Sequence, residues 1–501
     1  MFDNRSVSIA KEPSRLPTGV PGLDSILSGG LLKGHMYLVD GKPGTGKTTT
    51  GMQFVMEGRR TGESCLYVTL SETKAELEAT AKSHDWSMEG ISIAEFVPDE
   101  ASISEKEHYT VFHPGEVELA STIKKLLAEI EQAKPERLVI DSLSEFRLLA
   151  QDAIRFRRQL LALKQYFTGR NTTVLMLNDQ NSDNDDQQIQ SVMHGVIRLS
   201  NIPRSYGVTR RHLEVVKIRA SAYREGSHDY SLDKRGVTVY PRLIAGEHGE
   251  DFPHEHLSSN LPALDAMFAG GIERGSSTLI LGPAGVGKST IAMQYAHAAA
   301  RRGERAVLYS FDETLRTARM RARSLGMQID SDIKQQRLCL EQVDAAELSP
   351  GEFAGNIVRE VEEKNARVVV IDSINGFLRS MPGEGDLALH LHELLATLSQ
   401  KGVNTFLILT QRALLGEGET DIDVSYLADT LVILRYFEAE GAVHRAISVL
   451  KKRSGDHEHT IRELRFGPEG IQLGEPLIGF RGVLSGTPDS ITVPSGKLNE
   501  S

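Results

Sequence analysis

Two stretches of this chain share one spacing. Gly41-Lys-Pro-Gly-Thr-Gly46-Lys47-Thr48 and Gly282-Pro-Ala-Gly-Val-Gly287-Lys288-Ser289 both read G-x-x-x-x-G-K-[ST]. Each follows an apolar run, Met36-Tyr-Leu-Val-Asp40 or Ser277-Thr-Leu-Ile-Leu281, and each leads into a helix-like run, Thr49 to Met56 or Thr290 to Ala300. Strand, glycine-rich turn and helix in that order form a cradle for phosphate. The glycines let backbone N–H groups turn inward, and the helix N-terminus adds the positive end of its dipole. Gly44, Thr45, Gly46 and Thr49 in one loop, and Ala284, Gly285, Val286 and Gly287 in the other, are the lining such a cradle uses. Lys47 and Lys288 are placed to neutralise β/γ oxygens, and the Thr48 and Ser289 hydroxyls to hold Mg²⁺. A chain that repeats this loop 241 positions on is constrained to two α/β units and two nucleotide sites.

The repeat runs well past the loops. Gly19-Val-Pro-Gly-Leu23-Asp24 matches Asn260-Leu-Pro-Ala-Leu264-Asp265, and Ser71-Glu72-Thr73 matches Asp312-Glu313-Thr314, with Glu72 and Glu313 again 241 positions apart. Apolar runs predict strands at 36–40, 64–70, 137–141, 172–177 and 212–218, then at 277–281, 305–311, 366–372, 404–409 and 444–450. Helical patterns occupy 47–59, 116–132 and 151–169, then 288–302, 351–364 and 385–400. This alternation predicts two tandem domains, each a mostly parallel sheet flanked by helices, with ligands at the carboxyl ends of the strands. The expected layout is an extension at 1–13, a first domain at 14–243, a linker at 244–257, a second domain at 258–484 and a mobile tail at 485–501. The linker reading rests on the Pro-, Gly- and charge-rich stretch that begins at Tyr240 and runs to His256.

Composition removes several classes. At 501 residues, with 40% hydrophobic and 25% charged, the chain can bury two cores. Its apolar runs are strand-length, too short to cross a bilayer, and the N-terminus lacks a secretory apolar core. Only Cys65 and Cys339 occur, which argues against a disulfide framework and for a reducing cytoplasm.

The chemistry beside each loop needs carboxylates. Asp141 follows Arg137-Leu-Val-Ile, and Asp372 follows Arg367-Val-Val-Val-Ile, so each half has an aspartate at a strand tip. Such a residue either caps the next helix or orders a metal's water shell, and its pairing with a phosphate loop in both halves favours the shell. Hydrolysis also requires a group that orients or deprotonates water. Glu72 and Glu313 stand where that group is expected. Ser71 precedes one and Asp312 the other, so Asp312 and Glu313 can divide metal binding and proton acceptance in a way Ser71-Glu72 cannot.

These motifs together resemble the KaiC family, double RecA-like ATPases known for a circadian clock protein. The resemblance spans about residues 14–484 and includes both phosphate loops, both [SD]-E-T turns, Phe112-His-Pro-Gly-Glu116, the Asp-Ser strand tips and Ser425-Tyr-Leu-Ala-Asp-Thr430. It implies Mg-ATP as cofactor and a homohexamer with ATP at subunit interfaces. It further implies that Lys217, Arg219, Lys451 and Arg453 reach the neighbouring subunit's γ-phosphate. Ile218, Ser221, Arg445 and Lys452 fall in the same nucleotide-contacting segments, and Ser83 and Leu325 where the family meets base or ribose. The family also autophosphorylates adjacent hydroxyl residues in its second domain, here Ser425 and Tyr426. Tyr426 stands where the clock protein has threonine, so the resemblance supports a serine autokinase more than a two-site serine/threonine cycle. A signalling protein partner is implied as well.

Two rival readings share the fold. A nucleic-acid motor would need basic, aromatic loops after the fourth strand of each half. Asn178 to Gln190 and Gln411 to Asp423 instead carry four carboxylates each, with Arg412 their only cation, and the net charge is −11. Arg204, Arg210 and Arg211 are the remaining basic cluster, read as an exposed turn or subunit contact. A nucleotide-gated scaffold would bind nucleotide with negligible turnover.

Overall fold

Runs such as Leu138 to Ile140 and Val368 to Ile371 are dense in β-branched and leucine side chains that suit a sheet covered on both faces. The computed structural model describes residues 14–96, 114–150, 152–180, 185–244, 246, 252–344, 346–379, 387–411, 426–439, 441–478, 480–483 and 489–490. The chain divides into two units, Met1–Arg242 and Leu243–Ser501.

Each unit is built on a nine-stranded sheet. In the first, the strand order from edge to edge is Gly236–Tyr240, Ser227–Asp233, Arg210–Ile218, Gly195–Ile202, Met36–Gly41, Thr173–Asp179, Arg137–Asp141, Cys65–Thr69 and Ser92–Glu95. In the second it is Leu338–Gln342, Arg305–Ser310, Ala366–Asp372, Asn404–Thr410, Ser277–Gly282, Thr430–Ala439, Ala442–Lys452, Arg462–Gly467 and Gly470–Pro476. In each sheet six consecutive strands are parallel, with the phosphate-loop strand among them. The parallel strands therefore end on the edge where the phosphate loops begin.

Side chains alternate between the two faces, as a period of two requires. In Met36–Gly41, Tyr37 and Val39 join one core while Met36 and Leu38 join the other. In Ala366–Asp372, Val368 and Val370 face one core and Val369 and Ile371 the opposite one. Helices cover these faces. Lys47–Arg60 packs Met52, Phe54 and Val55 into the first unit's core, and Lys288–Arg301 packs Ile291, Met293 and Tyr295 into the second's.

The late strands at 212–218 and 444–450 read from sequence as further members of a parallel alternation. They lie within Arg210–Ile218 and Ala442–Lys452, and both strands run antiparallel to their neighbours. The connections from Ile202 to Arg210 and from Ala439 to Ala442 are too short for a crossover, which leaves only the antiparallel return. Four more differences are local. The helix read at 151–169 is Ala153–Phe167, begun by Asp152, which accepts from the Ile154 and Arg155 amides, and a further helix, Leu143–Ala150, precedes it. Tyr240, read as the start of the linker, is buried in the last strand of the first sheet. At the linker's other end His256–Leu257 pairs with Ile272–Glu273, and Asp489–Ser490, read as tail, pairs with Phe480–Arg481. Residues 1–13, 112–113 and 425 lie outside the described residues.

Candidate functional site

Each phosphate loop opens on a glycine at the end of a parallel strand and closes on a left-handed glycine that starts the helix. Gly46 has φ 92° and Gly287 φ 114°, values that L side chains rarely adopt. The space above these glycines is also taken. A Cβ on Gly46 would touch Leu232 and Val237 at 3.3 Å, and one on Gly287 would fall 2.2 Å from the Phe466 ring. Thr45 is fixed by its own hydroxyl on the Lys42 carbonyl (2.8 Å) and by Tyr230 Oη, which donates to the Thr45 carbonyl at 2.7 Å. In the second loop Val286 is fully buried and Tyr436 Oη donates to the Ala284 carbonyl at 3.3 Å. Gly44 and Gly285 also take positive φ, and Thr49 is buried behind the loop.

The hydroxyl that follows each lysine meets the aspartate at the neighbouring strand tip. Thr48 Oγ1 donates to Asp141 Oδ2 at 2.8 Å, and the Ser289 hydroxyl stands near Asp372 and draws its carboxyl down. Tyr67 Oη also donates to Asp141 Oδ2, at 2.7 Å. Burial pushes both aspartates above the usual carboxylate range, against the pull of those hydroxyls. The peptide bond after each aspartate is cis.

The two lysines differ. Lys47 Nζ donates to the Gly41 and Lys42 carbonyls at 2.9 and 3.0 Å and forms an ion pair with Asp179 at 2.8 Å. Lys288 Nζ donates to the Pro283 carbonyl at 2.8 Å, and among the described residues it has no ion pair. Burial brings it down to about 8. Asp179 lies opposite Gly41 in the parallel register, and Thr410 lies opposite Gly282, so the second unit has no carboxylate at that place. From sequence Asp179 reads as one charge of an acidic loop. Its position at the tip of the strand beside the phosphate loop is what makes it a partner of Lys47, and that neighbour relation appears only once strand order is known.

The two glutamates differ too. Glu72 Oε2 is buried with no hydrogen-bond partner among the described residues. Burial, and then the nearby Asp141 charge, push its carboxyl up. Glu313 is held by Arg321, whose Nη1 lies 2.7 and 2.6 Å from its two oxygens. Asp312 accepts from Ser373 Oγ at 2.5 Å. The position matching Arg321 by the repeat's spacing is Thr80, which is too short to form such a pair.

The late-strand cations are not gathered at their own chain's loops. Ile218 pairs with Gly195, which pairs with Tyr37, and Gly41 lies four residues further along that strand. At ~3.3 Å per residue this puts Lys217 and Arg219 roughly 13 Å from the loop edge. Lys452 stands across Thr430 from Thr278, equally short of Gly282. Four of these cations have local partners. Arg219 donates to the Ser191 carbonyl at 2.8 Å, Lys451 to that of Ala428 at 2.9 Å and Lys452 to that of Phe268 at 2.7 Å. Arg453 donates to the Tyr426 carbonyl at 2.8 Å and pairs with Asp429 at 3.2 Å. Arg445, at the other end of its strand, lies over the rings of Tyr436 and Phe466 beside its own phosphate loop. Ser221 accepts from Arg15 at 3.0 Å, and Ile218 packs on the core. Ser83 ends the helix Lys74–Ser83 with its hydroxyl on the Thr80 carbonyl, and Leu325 caps the corresponding helix Leu315–Ser324.

Tyr426 is 56% exposed, while Ser425 lies outside the described residues, as does most of the acidic stretch 411–423. Of the basic cluster read as exposed, Arg210 is buried at 3% exposure inside the sheet, so it cannot meet a phosphate backbone. Among the described residues no helix is long and apolar enough to cross a membrane. Nor do they contain a cluster of three or more His, Cys, Asp or Glu side chains suited to a metal. A Mg-nucleotide site takes one or two protein carboxylates together with phosphate oxygens. The hard oxygen donors of Thr48 and Asp141, and of Ser289, Asp372 and Asp312, suit that ion.

A model of the KaiC ATPase family matches residues 16–244 and again 257–477. Curated relatives align along nearly the whole chain. The circadian clock oscillator protein KaiC of Parathermosynechococcus lividus is 27% identical over 490 residues, covering 95% of this chain and 88% of its own length. Circadian clock protein KaiC3 of Synechocystis is 25% identical, covering 97% and 96%. Circadian clock protein KaiC2 of the same organism is 27% identical, covering 97% and 85%.

Proposed function

The chain belongs to the KaiC ATPase family, and from that premise we propose that it is a Mg-ATP-dependent signalling ATPase with one nucleotide site in each unit and serine autokinase activity at Ser425. The supporting observation is a similar arrangement built twice: a buried lysine in a glycine loop, followed by a hydroxyl beside a strand-tip aspartate. We assign the first catalytic domain to 14–243 and the second to 258–484.

In this reading the loop amides and Lys47 or Lys288 bind the β/γ-phosphates. Thr48 with Asp141, and Ser289 with Asp372 and Asp312, hold Mg²⁺, which when bound supplies positive charge to the phosphate oxygens. Glu72 or Glu313 orients the attacking water and accepts its proton. Lys217, Arg219, Lys451 and Arg453 serve a neighbouring copy's nucleotide, since the sheet register keeps them from their own. That division favours a homohexamer with ATP between subunits, and it couples assembly to nucleotide by mass action. Arg445, beside its own loop, joins the second site in cis. Ser83 and Leu325, at matching helix ends, contact base or ribose. A protein partner and a cytoplasmic location complete the reading.

Intact-mass analysis of the full chain after incubation with Mg-ATP tests the kinase half. A gain of about 80 Da that maps to Ser425 and vanishes in Lys288→Ala is the expected result. Phosphate release without any mass gain would leave an ATPase that is not an autokinase. The ATPase half fails if Lys47→Ala combined with Lys288→Ala hydrolyses ATP as fast as the unaltered protein.

A further inference from the structure

We propose that Arg321 is a positioning residue that restrains Glu313 and so sets a slow turnover in the second site. The inference rests on the reading of Glu313 as that site's water-activating group. One guanidinium nitrogen of Arg321 lies 2.7 and 2.6 Å from the two carboxylate oxygens of Glu313. An oxygen already accepting a charge-assisted hydrogen bond is poorly placed to take a water's proton, because doing so gives up the pairing. The pair is sheltered: the two side chains are 28% and 22% exposed, so solvent does not screen it as it would a surface pair. Arg321 is also anchored from behind. Its helix, Leu315–Ser324, is capped by the Thr314 hydroxyl on the Thr317 amide and buries Ala318 and Ala322.

The first unit supplies the contrast within the same chain. Thr80 stands at the matching position, and Glu72 Oε2 has no hydrogen-bond partner among the described residues. Two glutamates at one place in a repeat thus meet different surroundings, one tethered by a cation and one with no such tether among the described residues.

The test uses the full chain carrying Lys47→Ala, so that turnover reports the second site. Arg321→Thr, which installs the first unit's residue, is expected to raise kcat roughly tenfold, equivalent to about 1.4 kcal/mol of barrier, while KM changes less than about twofold. Arg321→Lys keeps a cation on Glu313 and is expected to stay within about twofold of the Lys47→Ala parent. In nucleotide-free protein, the thermal midpoints of Arg321→Thr, Glu313→Gln and the double variant should be non-additive, as for two groups in contact. A fall in kcat in Arg321→Thr, a change in KM alone, or additive midpoints would overturn the restraint. Equilibrium binding of a non-hydrolysable ATP analogue separates the two levels. If the parent binds it and Arg321→Thr does not accelerate, the restraint falls and the nucleotide site stands. If the parent binds none, both fall.

Discussion

Gly287 carries two demands at once, a left-handed backbone and an aromatic ring where a side chain would go. With φ at 114° and Phe466 2.2 Å from an added Cβ, Gly287→Ala should cost the loop about 1–2 kcal/mol in backbone strain before any clash. The expected outcome is loss of the second nucleotide site alone, read as a fall from two bound ATP analogues per chain to one. At the opposite edge of the first sheet, His194 stacks on His35 with ring centroids 4.0 Å apart. Burial, then His35 and the nearby Lys164, Arg219 and Lys217, pull its imidazole down to about 4. Between that value and the ordinary 6.5 the unfolded chain binds a proton that the folded chain refuses. Stability therefore rises with pH across that window and is lost as pH falls from about 6.5 to 4. His194→Asn should flatten the dependence of the unfolding midpoint on pH in that range, and an unchanged slope would remove His194 as its source.

At the scale of elements, the helix Lys74–Ser83 fixes the first unit's glutamate. Its capping box pairs the Thr73 hydroxyl with the Glu76 amide and the Glu76 carboxylate with the Thr73 amide, at 3.3 and 2.8 Å. Glu72 is the residue just before that cap. Thr73→Ala should cost about 1 kcal/mol of helix stability and lower first-site turnover while leaving second-site binding intact. Calorimetry of the full chain with site-resolved hydrolysis checks both. These same elements show what was legible in the sequence. The phosphate loops, their strands and helices, and the strand-tip aspartates are local patterns, and the structure has them where the pattern lies. The antiparallel strands Ser227–Asp233 and Arg462–Gly467 were missed because their polar alternation resembles loop composition. Asp179 on Lys47 and Arg321 on Glu313 were missed for another reason. Each contact depends on which elements lie side by side, and no spacing along the chain records that.

Across the whole molecule, a duplicated architecture carries two unequal sites. The first pairs its loop lysine with a carboxylate and, among the described residues, leaves Oε2 of its glutamate without a hydrogen-bond partner. The second leaves its lysine without an ion pair among the described residues and ties its glutamate to Arg321. Membership of the KaiC ATPase family explains why the architecture is repeated. The departures between the halves explain why the repeats need not work alike. The most direct measurement is steady-state ATP hydrolysis by the full chain carrying Glu72→Gln or Glu313→Gln, each alone. The account predicts that Glu72→Gln removes most of the turnover, a fall of roughly tenfold, and that Glu313→Gln removes only a minor share. Equal losses from the two variants, or a larger loss from Glu313→Gln, would contradict it.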